Sequence, residues 1–230
     1  MRIAVVYDNR SLRGDLSPAW GFSCLVGDDL LFDTGGDGPR LLSNMKRMGF
    51  DVGKIKTVVL SHAHGDHTGG LRDLLSVNRG ITIYLPRSSS SRFRERVKSR
   101  ARVVEVHEPM EIAEGIYTTG EMGRGLVEQA LAVITNQGLV VITGCAHPGI
   151  ARMLHRAKEI GGNEIHLAIG GFHLSVARTV EDVIAEFRRL GVRKVAPCHC
   201  TGKQAMKMFA AEYRDDFIEA GVGLVLNIEP

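Results

Sequence analysis

Between Thr57 and Gly70 the chain reads TVVLSHAHGDHTGG, and four groups able to bind a metal, His62, His64, Asp66 and His67, fall within six positions. Imidazole nitrogens and carboxylate oxygens are the donor set of zinc and of other divalent transition ions. Val58, Val59 and Leu60 before them form the apolar run of a short buried strand, whose tip hands over to the ligand loop. Two apart on an extended chain, His62 and His64 project to one side and can share an ion. Asp66 and His67 are adjacent and diverge unless the backbone turns, which Gly65 permits, so one loop can feed two neighbouring metals. Three of the nine histidines lie in these six residues, which argues against an incidental polar loop.

The elements that must carry this loop follow from periodicity. Ile3 to Tyr7, Phe22 to Val26 and Leu30 to Phe32 read as strands, with Gly27-Asp28-Asp29 turning between the second and third. Pro39 opens a helix with Leu41, Leu42, Met45 and Met48 at helical spacing, and Gly49 closes it. After the ligand loop come a helix marked by Leu71, Leu74 and Leu75, a strand from Ile81 to Leu85, and a basic connector from Ser88 to Arg102. The second half is expected to open with a strand at Val103 to Val106 and to continue with strands at Ile116 to Thr118, Gln129 to Thr135, Leu139 to Thr143, Ile165 to Ile169, Val192 to Pro197 and Gly223 to Ile228. Its helices start at Pro148, at Thr179 as N-cap, and after Thr201; Val180, Val183, Ile184, Phe187 and Leu190 form one apolar face.

Superposed, the halves coincide. Thr34, Pro39 and His64 match Thr143, Pro148 and His173 at one offset of 109 residues, and Leu71, Leu74 and Leu75 fall on Val180, Val183 and Ile184. After a two-residue shift Gly80 and Pro86 match Gly191 and Pro197. Such a repeat reads as duplication, with halves of about 1–102 and 103–230, and it says where a two-metal site would find its remaining donors, since each ion takes three or more protein groups. Equivalent strand ends carry Cys145, His147, His173 and His199.

Composition bounds the partners. With 230 residues and 44% hydrophobic content, the chain can bury a full core. A net charge of +3 and a pI near 8.7 are too mild to indicate nucleic acid. No stretch has the length of a membrane span, the first residues read as a strand rather than a signal peptide, and four scattered cysteines do not suggest disulfides. The expectation is a cytoplasmic protein acting on a small molecule, with its oligomeric state open.

The pattern His-x-His-x-Asp-His, with Leu31-Phe32-Asp33-Thr34-Gly35 upstream and Thr68-Gly69-Gly70-Leu71 behind, resembles the signature of the metallo-β-lactamase superfamily. The resemblance implies an α/β fold, a four-layer αββα sandwich of two related halves. Pro197-Cys198-His199 resembles that superfamily's last metal histidine. The aspartate that usually bridges the two metals is absent from the end of the Leu139 to Thr143 strand, so Cys145 or His147 must replace it, or no bridge exists. The expected assignment places His62, His64 and His147 on one ion and Asp66, His67 and His199 on the other, with Cys145 as a further ligand or simply a buried small residue. Asp33 is expected to hold a metal histidine's tautomer, and Cys198 and Cys200, pointing away from the face of His199, to be packing groups or supports behind the ligands rather than zinc ligands. Asp66 and His173 are the catalytic candidates, His173 as a free imidazole transferring a proton or gripping phosphate, and Arg124 is a further candidate for binding substrate. The basic run from Arg87 to Arg102 reads as a solvated connector, and His107, His155 and His166 as ordinary histidines.

Gly21-Phe22-Ser23, Asn44, Thr119-Gly120-Glu121, Gly144-Cys145-Ala146-His147-Pro148-Gly149 and Gly170-Gly171-Phe172-His173-Leu174 further resemble the metal-dependent hydrolases related to the archaeal dihydropterin ribofuranosylaminobenzene 5'-phosphate synthase. This implies a hydrolase with two divalent ions, zinc by default and iron, manganese or nickel as alternatives, acting on a phosphorylated or pterin-like molecule. The alternative is a transferase condensing a dihydropterin pyrophosphate with a ribofuranosylaminobenzene phosphate. A diiron redox protein is disfavoured, because no flavodoxin-like domain or acidic bridge is seen, and a non-catalytic binding module would need a decayed metal motif.

Overall fold

In the computed structural model, which describes residues 1–162 and 164–229, the chain divides into two units, Met1–His107 with Gly221–Ile228, and Glu108–Ala220. The first unit is built on a sheet of seven strands. In chain order these are β1 (Arg2–Tyr7), β2 (Ser23–Val26), β3 (Leu30–Phe32), β4 (Thr57–Val59), β5 (Thr82–Pro86), β6 (Arg102–Val106) and the C-terminal Val225–Asn227, arranged with the last beside β1 and the rest in sequence. β1, β2 and β3 pair antiparallel, whereas β3 to β6 run parallel and need crossovers. Helices α1 (Gly38–Arg47), α3 (Leu71–Val77) and α4 (Ser91–Lys98) provide them, with the one-turn helix α2 (Gly65–Thr68) inside the ligand loop. Leu41, Met45, Leu71, Leu74, Phe93 and Val97 bury against Leu31, Val58, Ile83 and Leu85 in one apolar cluster.

Local chemistry explains the helix ends. Asp37 caps α1 by accepting the Arg40 amide at 2.8 Å, Pro39 sits in its first turn, and Gly49 leaves it at a φ of +79°. Asn44, polar yet fully buried on the same helix, donates to the Val6 and Ser17 carbonyls and accepts the Ser17 amide, which ties the loop after β1 to α1.

The second unit is a six-stranded sheet: β7 (Met110–Ala113), β8 (Ile116–Thr118), β9 (Leu131–Thr135), β10 (Gly138–Thr143), β11 (Ile165–Gly171) and β12 (Lys194–Cys198), in that spatial order. β7 to β10 are antiparallel, and β10, β11 and β12 parallel, joined by α5 (Ile150–Gly161) and α6 (Ala177–Arg189); α7 (Lys203–Tyr213) follows, and the C-terminal strand of the first unit is β13. β11 is buried at every residue, as expected of a parallel strand covered on both faces. Phe172, Phe187 and Phe209 meet with ring centroids 5.3 to 5.6 Å apart at the centre of the core.

The two units repeat one topology, hairpin, helix, parallel strand, helix, parallel strand, so that β2-β3-α1-β4-α3-β5 corresponds to β9-β10-α5-β11-α6-β12. The matched threonines do the same work. Thr34 Oγ1 donates to the His67 carbonyl in the ligand loop at 3.0 Å and Thr143 Oγ1 to the carbonyl of Gly171, the last residue of β11, at 2.9 Å, so each ties the exit of one strand to the segment at or beyond the end of the next.

Several boundaries differ from the sequence reading. Val103 to Val106 does not open the second half: the basic connector contains α4, capped by Ser90, and this crossover returns the chain to the first sheet, where β6 pairs parallel with β5. Gly221–Ile228 also belongs to the first unit, because β13 pairs with β1. α6 begins at Ala177, after Val176, without a side-chain cap, so Thr179 lies within its first turn rather than before it. β7 and α2 carried too few residues to show a period.

Candidate metal-binding loops

In the first unit the ligand loop leaves β4 and is clamped to the exit of β3. The Thr34 amide reaches the His67 carbonyl at 2.7 Å, and the Gly70 amide reaches the Gly35 carbonyl at 3.2 Å. The approach is close enough that a Cβ on Gly70 would lie 2.2 Å from the Thr34 oxygen, which explains the glycine after Gly69. Asp33 is the hub. Its Oδ1 accepts the Ser61 amide at 2.7 Å, and its Oδ2 accepts both the Ser61 hydroxyl and His67 Nδ1, each at 2.7 Å. Burial raises its pKa, against the pull of His67 and Ser61.

This network sets tautomers. Because the Ser61 hydroxyl spends its proton on Asp33, it can only accept from His62 Nδ1, 2.8 Å away, and His62 is left with a bare Nε2. His67, donating from Nδ1, likewise keeps a bare Nε2, with Asp66 Oδ2 3.6 Å from it. His62 Nε2 and His64 Nδ1 face each other at 2.9 Å, close to the roughly 3.3 Å separation of two nitrogens at tetrahedral corners about 2.0 Å from zinc. Two oriented imidazole lone pairs, a third ring nitrogen and a carboxylate on one loop fit a divalent ion of the zinc type.

In the second unit the organising group is Glu128, a fully buried carboxylate on the loop before β9. Oε1 accepts the amides of Cys145 and Ala146 at 2.8 and 2.9 Å; Oε2 accepts the His147 amide at 3.0 Å and His147 Nδ1 at 2.9 Å. One side chain therefore fixes three consecutive backbone units and leaves His147 Nε2 bare, as Asp33 does for His67. The bend it holds is strained, with Ala146 at a φ of +60°. Asp33, His173 and His199 also have positive φ, 56°, 50° and 50°, each costing on the order of 1 to 3 kcal/mol, so strain concentrates in the loops that carry the candidate residues.

His173 follows β11 and is exposed, its ring centroid 4.6 Å from that of His147; His199 follows β12 and is buried. Cys145 and Cys198 are buried. Cys200, expected to pack or to support ligands rather than to bind metal, donates to the Cys145 carbonyl at 3.5 Å, with its sulfur within 4.8 Å of the donor atoms of Cys145 and His173. Gly171 permits this: a Cβ there would meet the Cys200 sulfur at 2.7 Å. Arg124 is exposed on the loop closed by the Met122–Glu128 bridge, beside Gly123, whose added Cβ would sit 3.2 Å from the Pro148 ring. Of the remaining histidines, His155 pairs with Glu186 at 2.7 Å on the surface, and His166 is buried.

Sequence reasoning missed Ser61 and Glu128. Glu128 could have been found: it is one acid inside the otherwise uncharged run from Leu126 to Thr135, and burying it there demands partners.

The model of the metallo-beta-lactamase superfamily matches residues 24–150. The 7,8-dihydropterin-6-methyl-4-(beta-D-ribofuranosyl)-aminobenzene-5'-phosphate synthase of Methanocaldococcus jannaschii is 30% identical, over 86% of this chain and 84% of its own. Among solved structures, Tm1679, described as a metal-dependent hydrolase of the beta-lactamase superfamily, has a TM-score of 0.86 at 32% identity over the whole of both chains. The metallo-beta-lactamase fold protein YhfI of Bacillus subtilis has a TM-score of 0.71 at 17% identity, over 98% of this chain and 99% of its own, a likeness of fold. With this fold and these relatives, the chain belongs to the metallo-β-lactamase superfamily of enzymes, in the group related to the archaeal dihydropterin synthase.

Proposed function

We propose that the chain is a metal-dependent hydrolase whose two divalent cations, zinc by default, are held by His62, His64 and His147 on one side and by Asp66, His67 and His199 on the other. Cys145 stands where the superfamily's bridging aspartate is expected. The observation that carries this reading is the recurrence of one device: a buried carboxylate, Asp33 in one unit and Glu128 in the other, accepts the Nδ1–H of a histidine and so fixes the tautomer whose Nε2 carries the lone pair. Surface histidines do not need such supports, and ligating ones do.

Bound there, a pair of divalent cations would supply positive charge that lowers the pKa of water and offsets charge on an attacked or departing oxygen. The residues of the chain supply the rest. Asp66, partly exposed beside His67, is placed to orient water and accept its proton. His173, exposed next to His147, can donate a proton to the leaving oxygen or bind a phosphoryl group, and Arg124 on the neighbouring loop adds positive charge for an anionic substrate. A phosphorylated or pterin-like small molecule fits these groups. The four cysteines are in the thiol form, which accords with work in a reducing compartment such as the cytoplasm.

The second reading is a synthase-type transferase, favoured by the name of the archaeal relative. The two separate on one experiment. Metal-loaded protein is incubated with a dihydropterin pyrophosphate, with and without the ribosylated arylamine phosphate. Hydrolysis releases pyrophosphate or phosphate in both mixtures, whereas release only when the amine is present overturns the hydrolase and establishes the transferase.

A further inference from the structure

A cleft of about 420 Å³ in the second unit, lined among others by His166, Arg188, Arg193, Lys194 and Asp216, takes no part in the chemistry above. His166 stands at the start of β11 and Lys194 begins β12, while His173 and His199 follow the opposite ends of these strands. β11 has seven residues, which places the cleft about 20 Å along the strand from the His173 loop.

Its lining is cationic and incompletely compensated. Among the described residues no carboxylate forms an ion pair with Arg193 or Lys194. Arg188 is already ordered, bonded to Glu212 at 2.9 Å and lying over the Tyr213 ring at 4.1 Å, so its charge is in place without further entropy loss. His166 is nine-tenths buried, with 9% of its surface exposed, and its Nδ1 is sealed without a hydrogen-bond partner. An orphaned buried N–H is rarer than an orphaned acceptor, so the proton belongs on Nε2, on the ring edge left to face the cleft. Burial, Lys194 and Arg193 depress the pKa of His166 while Asp216 raises it, and the ring is a neutral donor at pH 7.

Three kinds of donor and one carboxylate define the ligand. A fully ionised oxyanion would be repelled by Asp216, whereas a phosphoryl group keeping one proton can donate it there while its other oxygens accept from the cations. We propose that this cleft binds inorganic phosphate, as the hydrogen phosphate ion, through Lys194, Arg193 and the Nε2–H of His166, with Asp216 accepting from the protonated oxygen.

Calorimetric titration of the metal-loaded protein with inorganic phosphate, phenyl phosphate and sulfate tests this, on the wild type, Arg193→Ala/Lys194→Ala and Asp216→Asn. The expected result is saturable phosphate binding, weakened tenfold or more in the double variant, with sulfate at least tenfold weaker than phosphate in the wild type and that preference lost in Asp216→Asn. Phenyl phosphate, which at pH 7 has mostly lost its second proton (pKa about 6), should bind more weakly than phosphate to the wild type, and tighter binding overturns the role given to Asp216. Should the double variant be unstable, the ¹⁵N signals of the His166 ring in the wild type decide, since phosphate must move them. Unchanged phosphate binding in the double variant, no saturable phosphate binding, or an unmoved His166 ring overturns the proposal.

Discussion

Replacing Glu128 by Gln is the most informative single change, because it preserves size and alters only what the carboxylate does. The Gln oxygen can keep the Oε1 role toward the Cys145 and Ala146 amides, but its NH₂ then confronts the His147 amide and Nδ1–H, two donors that Oε2 now accepts at 3.0 and 2.9 Å. Two buried donors without acceptors cost about 1 to 3 kcal/mol each, hence roughly 2 to 6 kcal/mol against a typical total stability of about 5 to 15 kcal/mol. His147 has one escape: it can move its proton to Nε2, so that Nδ1 accepts from the Gln NH₂. That recovers one bond and spends the lone pair that the proposed ion requires, so metal affinity should fall about 10- to 100-fold. Urea unfolding of the metal-free protein, with chelator competition for zinc on the folded one, measures both effects. A variant within about 0.5 kcal/mol of wild type and unchanged in zinc affinity would refute the argument, since surface-like changes lie in that range.

Asp33→Asn should act in the same way on the other unit: removing the acceptor shared by Ser61 and His67 is expected to cost about 3 to 5 kcal/mol in urea unfolding, with a parallel loss of zinc affinity. Gly70→Ala forces a Cβ to within 2.2 Å of the Thr34 oxygen, backbone against a clamped loop, and should destabilise by at least about 1 to 3 kcal/mol in the same assay. His166 predicts a pH dependence. Its folded pKa is depressed, so as pH falls below about 6.5 the unfolded chain takes the proton first and stability is lost until the folded value is reached. His166→Gln, studied in phosphate-free buffer, should be flatter over that window by up to about 1.4 kcal/mol per pH unit, and an unchanged slope would contradict the burial argument.

Much of this arrangement could be read from residue order. The loop from His62 to His67 stood out because four donors in six positions have no packing explanation, and the matched Thr34 and Thr143 both donate to a backbone carbonyl of the following segment. The Asp33 contact was legible because a histidine ligand needs a partner for its second nitrogen. What stayed hidden was non-local. Glu128 precedes His147 by 19 positions and acts through backbone amides, which leave no side-chain pattern. The expected lack of an acid near Cys145 holds for the strand end itself, yet the carboxylate arrives there from another loop and is consumed in holding the bend. Alternation along a strand set Cys200 away from the face of His199, and because the strand ends at Cys198, with a positive φ at His199, that pattern could not show that the thiol reaches the Cys145 carbonyl. β6 was assigned to the wrong half because hydrophobic pattern marks a strand without naming its sheet.

The proposed function requires ligands from both units on two cations. Elemental analysis of protein purified without added metal, set beside His64→Ala from the first unit and His147→Ala from the second, tests it directly. Two equivalents of a divalent transition metal per wild-type chain, reduced to one or fewer in each variant, is the predicted result. Wild-type protein without such metal, or a His147→Ala variant that keeps both equivalents, would contradict it.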